Sequence, residues 1–462
     1  MSLLQIHQAD NVAVDTDTGH KKAICDIPAG SDVIKYGFPI GYATADIAAG
    51  EHVHTHNMAT KLKDKLEYKY TPIEKAGEMK PENEYVRSIM AYVRKNGEIG
   101  VRNDIWIINT VGCVNKLAEK LAGITGALAF PHPYGCSQLG GDHATTQKIL
   151  KGLVKHPNAG GVLVLGLGCE NNNIEEFKKV LGPVDEERVR FLNAQSCEDE
   201  IKEGVSLIRE LQEIAAGDQR VPVPVSKLKV GLKCGGSDGF SGITANPLIG
   251  QFSDWLCANG GSTVLTEVPE MFGAEHLLMN RCADREVFDK TVALINDFKD
   301  YFTRHDQVIY ENPSPGNKEG GITTLEEKSL GCTQKGGTSE VTDVLDYGDI
   351  VVKSGLNLLN GPGNDMVAVT NLTAAGCHMI LFSTGRGTPL GAPVPTIKVG
   401  TNCGISYRKK NWIDFDAGPM IDGIVLKENF IDYCIQVAEG TLTKNEENGY
   451  REIAIFKDGV TL

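Results

Sequence analysis

Val162-Leu163-Val164-Leu165-Gly166-Leu167-Gly168-Cys169-Glu170 reads as a buried strand that stops in a glycine-rich turn bearing a thiol and a carboxylate. An apolar run without alternation fits a strand covered on both faces, and glycine punctuates its end. Similar strand-length runs lie at Ile105-Trp106-Ile107-Ile108, Ala127-Leu128-Ala129-Phe130, Val189-Arg190-Phe191-Leu192, Leu228-Lys229-Val230-Gly231-Leu232 and Thr263-Val264-Leu265. Helix-period segments at 114–121, 142–155, 198–213 and 285–303 separate them. This alternation predicts an α/β fold, a parallel sheet with helices on both faces. A second α/β unit is expected from about residue 306, with apolar runs at 349–352 and 378–382.

Residues 1–57 read differently. Runs such as Asn11-Val12-Ala13-Val14 and Asp32-Val33-Ile34-Lys35-Tyr36 are short, and Gly or Pro interrupts them. They predict a small β unit without a long helix. Residues 58–84 are largely charged and predict a solvated linker. The expected organisation is a β unit over 1–72, a linker over 73–99, and α/β units over 100–305 and 306–462.

Basic residues number 46 and acidic ones 60, so 46 − 60 gives a formal charge of −14. That balance argues against nucleic acid, which demands basic patches. No apolar run approaches a membrane span, and Met1-Ser2-Leu3-Leu4-Gln5-Ile6-His7 lacks the basic head and apolar core of a signal peptide. A cytoplasmic protein is expected, and its 12 Cys are read as buried residues or metal ligands rather than a disulfide framework.

Ligands of open α/β sheets bind beyond the carboxyl ends of the strands. Four predicted strand ends there carry a Cys beside Gly: Cys113, Cys136, Cys169 and Cys234. If the strands are parallel in one sheet, the four thiols converge on one edge, where thiolates suit iron and iron–sulfur clusters. The other eight Cys, Cys332 among them, are read as core. Gly166-Leu167-Gly168 does not complete a dinucleotide fingerprint, because Asn171 stands where a third Gly is needed. His52-Val53-His54-Thr55-His56-Asn57, taken as a strand, would place three imidazoles on one face for metal binding or acid–base work. Asn312-Pro313-Ser314-Pro315-Gly316-Asn317-Lys318 is a breaker-rich loop that can offer Lys318 to an anion. Thr384-Gly385-Arg386-Gly387 sets Arg386 between glycines, as carboxylate capture requires.

Together these motifs resemble the altronate/galactarate dehydratase family of sugar-acid dehydratases, over nearly the whole chain. Residues 19–27, 34–41 and 50–57 resemble that family's SAF domain, a β-clip fold. Gly100-Val101-Arg102-Asn103, Tyr134-Gly135-Cys136, Gly166-Leu167-Gly168-Cys169-Glu170, Cys234-Gly235-Gly236-Ser237-Asp238-Gly239-Phe240-Ser241-Gly242, the 312–318 loop and Thr384-Gly385-Arg386-Gly387-Thr388-Pro389 resemble its main domain. The His54-Thr55-His56-Asn57 ending resembles the altronate branch. A related sulfolactate sulfo-lyase divides the two parts between subunits, whereas they are fused here; the linker is shorter than in altronate dehydratases.

The resemblance implies removal of water from a 2,3-dihydroxy acid, altronate to 2-keto-3-deoxygluconate, with galactarate dehydration or sulfolactate cleavage as alternatives. It implies iron, as Fe2+ or a cluster, held by Cys136, Cys169 and Cys234 with Cys113 as a fourth ligand. His20, His54 and His56 become candidate catalytic residues. Lys21, Ser237, Asp238, Lys318 and Arg386 become candidate substrate-binding residues. A homodimer with a small-molecule partner is expected. The opposing non-enzyme reading is a sugar-acid-binding protein, which has no need of thiols at strand ends.

Overall fold

The computed structural model describes residues 2–62, 65–73 and 87–459. At the N-terminus, β1 (Leu3–Leu4), β2 (Val12–Asp15), β3 (Lys21–Ala23), β4 (Asp32–Lys35), β5 (Phe38–Ala43), β6 (His52–Val53) and β7 (Met58–Ala59) form two small antiparallel sheets. Their orders are β1-β2-β3-β6 and β4-β5-β7. This is the expected helix-free β unit. Val33, Ile40, Val53 and Met58 fill its core together with Ala274 and Leu330 of the main body.

Residues 63–64 and 74–86 lie outside the described residues. The stretch 65–73 has neither helix nor strand, yet it is strapped to the body: Tyr68 Oη donates to Glu275 Oε1 at 2.9 Å and Ile73 N to the Asn280 carbonyl at 3.0 Å. Residues expected to be linker also supply β8 (Ser88–Val93) and β9 (Ile99–Gly100).

The α/β expectation is met by two parallel sheets rather than one. β10 (Asp104–Asn109), β11 (Leu128–Phe130), β12 (Ala159–Gly166) and β13 (Val189–Asn193) pair in the order β11-β10-β12-β13. β14 (Val221–Pro224) then returns to β8 and closes an antiparallel ribbon, β14-β8-β9. The seven-stranded sheet uses β15 (Lys229–Cys234), β16 (Ser262–Leu265), β17 (Val341–Leu345), β18 (Gly355–Leu359), β19 (Met379–Thr384), β20 (Thr396–Gly400) and β21 (Phe415–Asp416). Its order is β17-β18-β16-β15-β19-β20-β21, parallel throughout. The break between sheets thus falls between Asn193 and Lys229, not near 306. The run 349–352 is not a strand: Val352 is 80% exposed, and β17 and β18 flank it instead.

Helices form at Asn115–Thr125, Gly140–Val154, Glu200–Ala216 and Arg285–Arg304, close to the predicted segments. Helices Gly140–Val154 and Asp365–Ala374 pack together and contribute to the apolar core shared by both sheets.

Candidate functional site

The chain leaves β15 toward β16, β17 and β18 on one side, and resumes at β19 to build β20 and β21 on the other. Neighbouring strands β15 and β19 therefore mark the topological switch point, where the diverging connections open a crevice at the carboxyl edge. Both glycine-rich motifs lie there. Gly235 N donates to the Ser383 carbonyl at 3.0 Å, and Arg386 N to the Gly236 carbonyl at 3.1 Å. A cavity of about 800 Å³ opens here, with Cys234, Gly235, Glu270, Asn317, Lys328 and Asp365 on its wall.

Beneath the crevice lies a buried polar centre. Cys234 closes β15, Glu270 sits on the short turn Val268–Met271 after β16, and Cys332 ends helix Leu325–Cys332. Their ligand atoms, Sγ, a carboxylate oxygen and Sγ, all lie within 4.8 Å of one another. Ser237 Oγ is 2.6 Å from Cys234 Sγ. Lys328 Nζ stands 2.9 Å from Glu270 and donates to Asn312 Oδ1 at 3.0 Å. Lys233 pairs with Glu267 and, at 2.7 Å, with Asp365; Lys335 reaches Glu267 at 3.4 Å. Hydrogen bonding from Cys332 holds the Cys234 thiol below the ordinary range, against desolvation and with help from Lys335. The same hydrogen bond, then burial, pushes Cys332 up. Burial raises the Glu270 carboxyl, and Lys328 and Lys335 more than offset it, leaving it at about 2. Two thiols and a carboxylate converging at this separation fit a soft or borderline metal ion such as iron.

Four imidazoles stand over the adjoining loop. The His52 and His54 ring centroids lie 5.5 Å apart, His52 and His56 5.6 Å, and His20 and His52 5.2 Å. His54 Nε2 donates to the Lys318 carbonyl at 2.9 Å and His20 Nε2 to the Glu319 carbonyl at 3.2 Å. Carbonyls only accept, so Nε2 carries the proton in both rings, and His20 Nδ1 lies 3.1 Å from His52 Nε2. Desolvation, then the neighbouring imidazoles, lowers His52 to about 4; desolvation also lowers His54. The clustering does not come from a strand face as predicted. Only His52–Val53 is strand, and the chain then turns, tied by Asn57, which donates to the His52 carbonyl and accepts from His54 N, each at 2.9 Å.

The remaining predicted residues divide. Ser237 is buried against Cys234, and Asp238 accepts from Ser241, Thr401 and Asn402, so the latter buttresses the turn. Lys21 is wholly buried: it pairs with Glu327 at 2.8 Å and donates to the Gly321 carbonyl, an anchor of the β unit. Arg386 is at the rim, 3.1 Å from Glu319, whereas Lys318 meets the imidazoles through its carbonyl. Cys113, Cys136 and Cys169 follow β10, β11 and β12, so they belong to the other sheet and not to the set around Cys234. Their loops interlock: Gly112 N donates to the Tyr134 carbonyl at 2.9 Å, and Asn172 N to the Gly135 carbonyl at 3.0 Å. Sequence reasoning missed Cys332, Glu270 and Lys328. Helix Leu325–Cys332 carries three charges and no apolar stripe, so its sequence offered no signal, and only the structure shows it buried at every position.

Comparison with known proteins gives three family matches. Residues 14–61 match the altronate/galactarate dehydratase SAF domain, 91–216 the D-galactarate dehydratase/altronate hydrolase second domain, and 225–461 the D-galactarate/altronate dehydratase C-terminal domain. The chain is 53% identical to the altronate dehydratase of Escherichia coli (strain K12), covering 100% of both chains. The altronate dehydratase of Bacillus subtilis (strain 168) matches at the same identity and coverage, 53% and 100% of both. Identity to the galactarate dehydratase (L-threo-forming) of Escherichia coli (strain K12) is 31%, over 98% of this chain and 96% of that one.

Proposed function

The chain belongs to the D-galactarate/altronate dehydratase family and is a sugar-acid hydro-lyase; from that premise we propose that it converts D-altronate to 2-keto-3-deoxy-D-gluconate, with iron as its cofactor. The observation that carries the substrate is the 53% identity to two altronate dehydratases, against 31% to a galactarate dehydratase.

The elimination breaks C2–H and C3–OH, releases water, and lets the resulting enol become the 2-keto acid. The C2 proton is weakly acidic, so it needs a neutral base near at hand. The imidazole cluster offers one, since desolvation keeps His52 and His54 unprotonated at neutral pH. The polar crevice suits the polyol acid: Lys328 attracts the carboxylate, and Asn312, Asn317 and Asn364 on the wall bond hydroxyls. Arg386 at the rim draws the anion inward, because local cations outweigh a distributed charge that salt screens over ~8 Å. Iron, when bound, supplies Lewis-acid stabilisation of negative charge as it develops. Cys234, at the cavity wall, would hold it.

Anaerobically purified, iron-supplied protein offered D-altronate, galactarate and sulfolactate, with 2-keto acid as readout, tests the assignment. Altronate is expected to lead in kcat/KM by at least about tenfold, a difference of ~1.4 kcal/mol. Preference for galactarate overturns the substrate; failure to turn over any sugar acid overturns the reaction. His54→Ala is expected to lower kcat by ~10²–10⁴.

A further inference from the structure

Three carboxylates line the cavity of about 800 Å³, and they are not equivalent. Glu270 pairs with Lys328 at 2.9 Å, and Asp365 with Lys233 at 2.7 Å. Glu452 meets no cation among the described residues. Its neighbour Arg451 is engaged elsewhere, with Asp104 at 2.9 Å and Glu446 at 3.2 Å. Among the described residues Lys328 is the one cation of the lining. The two charges sit at different depths: Lys328 is buried beside Glu270, whereas Tyr450 and Glu452 are exposed at the mouth.

We propose that Glu452 selects the substrate by its far end, admitting a sugar acid that ends in a hydroxymethyl group and repelling one that ends in a second carboxylate. On the function proposed above, from which this role follows, Lys328 takes the C1 carboxylate. With C1 held at the buried end, C4 to C6 run toward the mouth. There an aldonate offers hydroxyls, which donate to the Glu452 carboxylate. An aldarate brings a second negative charge to an unpaired one, and no lining cation is left to offset it. Placing an unpaired like charge against the wrong partner is a general route to specificity. The wall that carries Glu452 is held in place. Glu452 N donates to the Gly391 carbonyl at 3.0 Å, Asn445 Nδ2 to the Pro389 carbonyl at 2.7 Å and Lys398 Nζ to the Thr388 carbonyl at 2.9 Å. A Cβ on Gly391 would lie 2.2 Å from the Tyr450 carbonyl oxygen, so the two segments touch. Lys409 rests on the Trp412 ring at 4.1 Å but does not line the cavity.

The test compares D-altronate with D-altrarate, which differ only in carrying a hydroxymethyl group or a carboxylate at C6. Wild type is expected to favour altronate in kcat/KM. Glu452→Gln keeps an acceptor but loses the charge, and is expected to raise the altrarate-to-altronate ratio at least about tenfold, through KM rather than kcat. Higher ionic strength screens the repulsion, so it is expected to raise the wild-type ratio and to leave that of Glu452→Gln within about twofold. Lys409→Gln is expected to stay within about threefold of wild type, as befits a charge outside the lining. Equal use of both acids by wild type at low salt, a ratio unmoved in Glu452→Gln, or a larger shift in Lys409→Gln would each overturn the role of Glu452. If neither acid is dehydrated, the reaction proposed above fails; dissociation constants read by calorimetry on the same iron-supplied protein then give the ratio and decide the role of Glu452. Altronate turnover with an unmoved ratio sinks that role alone, and binding of neither acid sinks both.

Discussion

His52 stays neutral at pH 7 because partial burial and three neighbouring imidazoles disfavour a positive charge. Its folded-state pKa of about 4 lies below the unfolded value of 6.5. Between those values the unfolded chain binds a proton that the folded chain does not, so stability rises with pH across that window and is lost as pH falls toward 4. Wild type is therefore expected to gain stability over His52→Gln between pH 4.5 and pH 7, as read by urea midpoints at each pH. Parallel curves would show that His52 is not held neutral by the fold. Individual residues were legible where local context marked them. Cys234 follows a buried run and precedes two glycines, and His52, His54 and His56 are three imidazoles within five residues. Glu270 and Lys328 have no such context; charged residues gain meaning only from what they meet.

Among elements, the contact between helices Gly140–Val154 and Asp365–Ala374 depends on one missing side chain. A Cβ on Gly152 would lie 2.3 Å from the Ala374 carbonyl oxygen, a backbone atom that cannot swing aside. Ala normally favours a helix over Gly by ~1 kcal/mol. Here the clash dominates, and Gly152→Ala is expected to destabilise by ~1–3 kcal/mol in denaturant unfolding; a stabilised variant would show that the helices do not pack this closely. Elements with a clear period were readable: the four predicted helices and all six strands of 105–265 are present within a few residues. Helix Leu325–Cys332 was not, because a helix buried on every side has no polar face to give a 3.6-residue pattern.

Across the whole molecule, the N-terminal β unit is fastened to the main body by a buried triad. Lys21 and Lys35 pair with the two oxygens of Glu327 at 2.8 and 2.9 Å, and all three side chains are buried. Glu327→Ala would leave two ammonium groups unpaired in the interface, at ~3–5 kcal/mol. The variant is expected to show faster hydrogen exchange over 12–59 than wild type, along with reduced turnover, since the imidazoles lose their seat on Lys318 and Glu319. Unchanged exchange there would show that apolar contacts alone hold the unit. The sequence by itself determined the β unit, the strand–helix alternation and the glycine-bounded strand ends, because periods of two and 3.6 residues and turn chemistry are local properties. Only the tertiary structure decided that the strands divide between two sheets and that Cys332 and Glu270 join Cys234. It also decided that the imidazoles lie over the 312–321 loop. Strand pairing and side-chain convergence depend on contacts between residues far apart in the chain, and no local pattern encodes which of them meet.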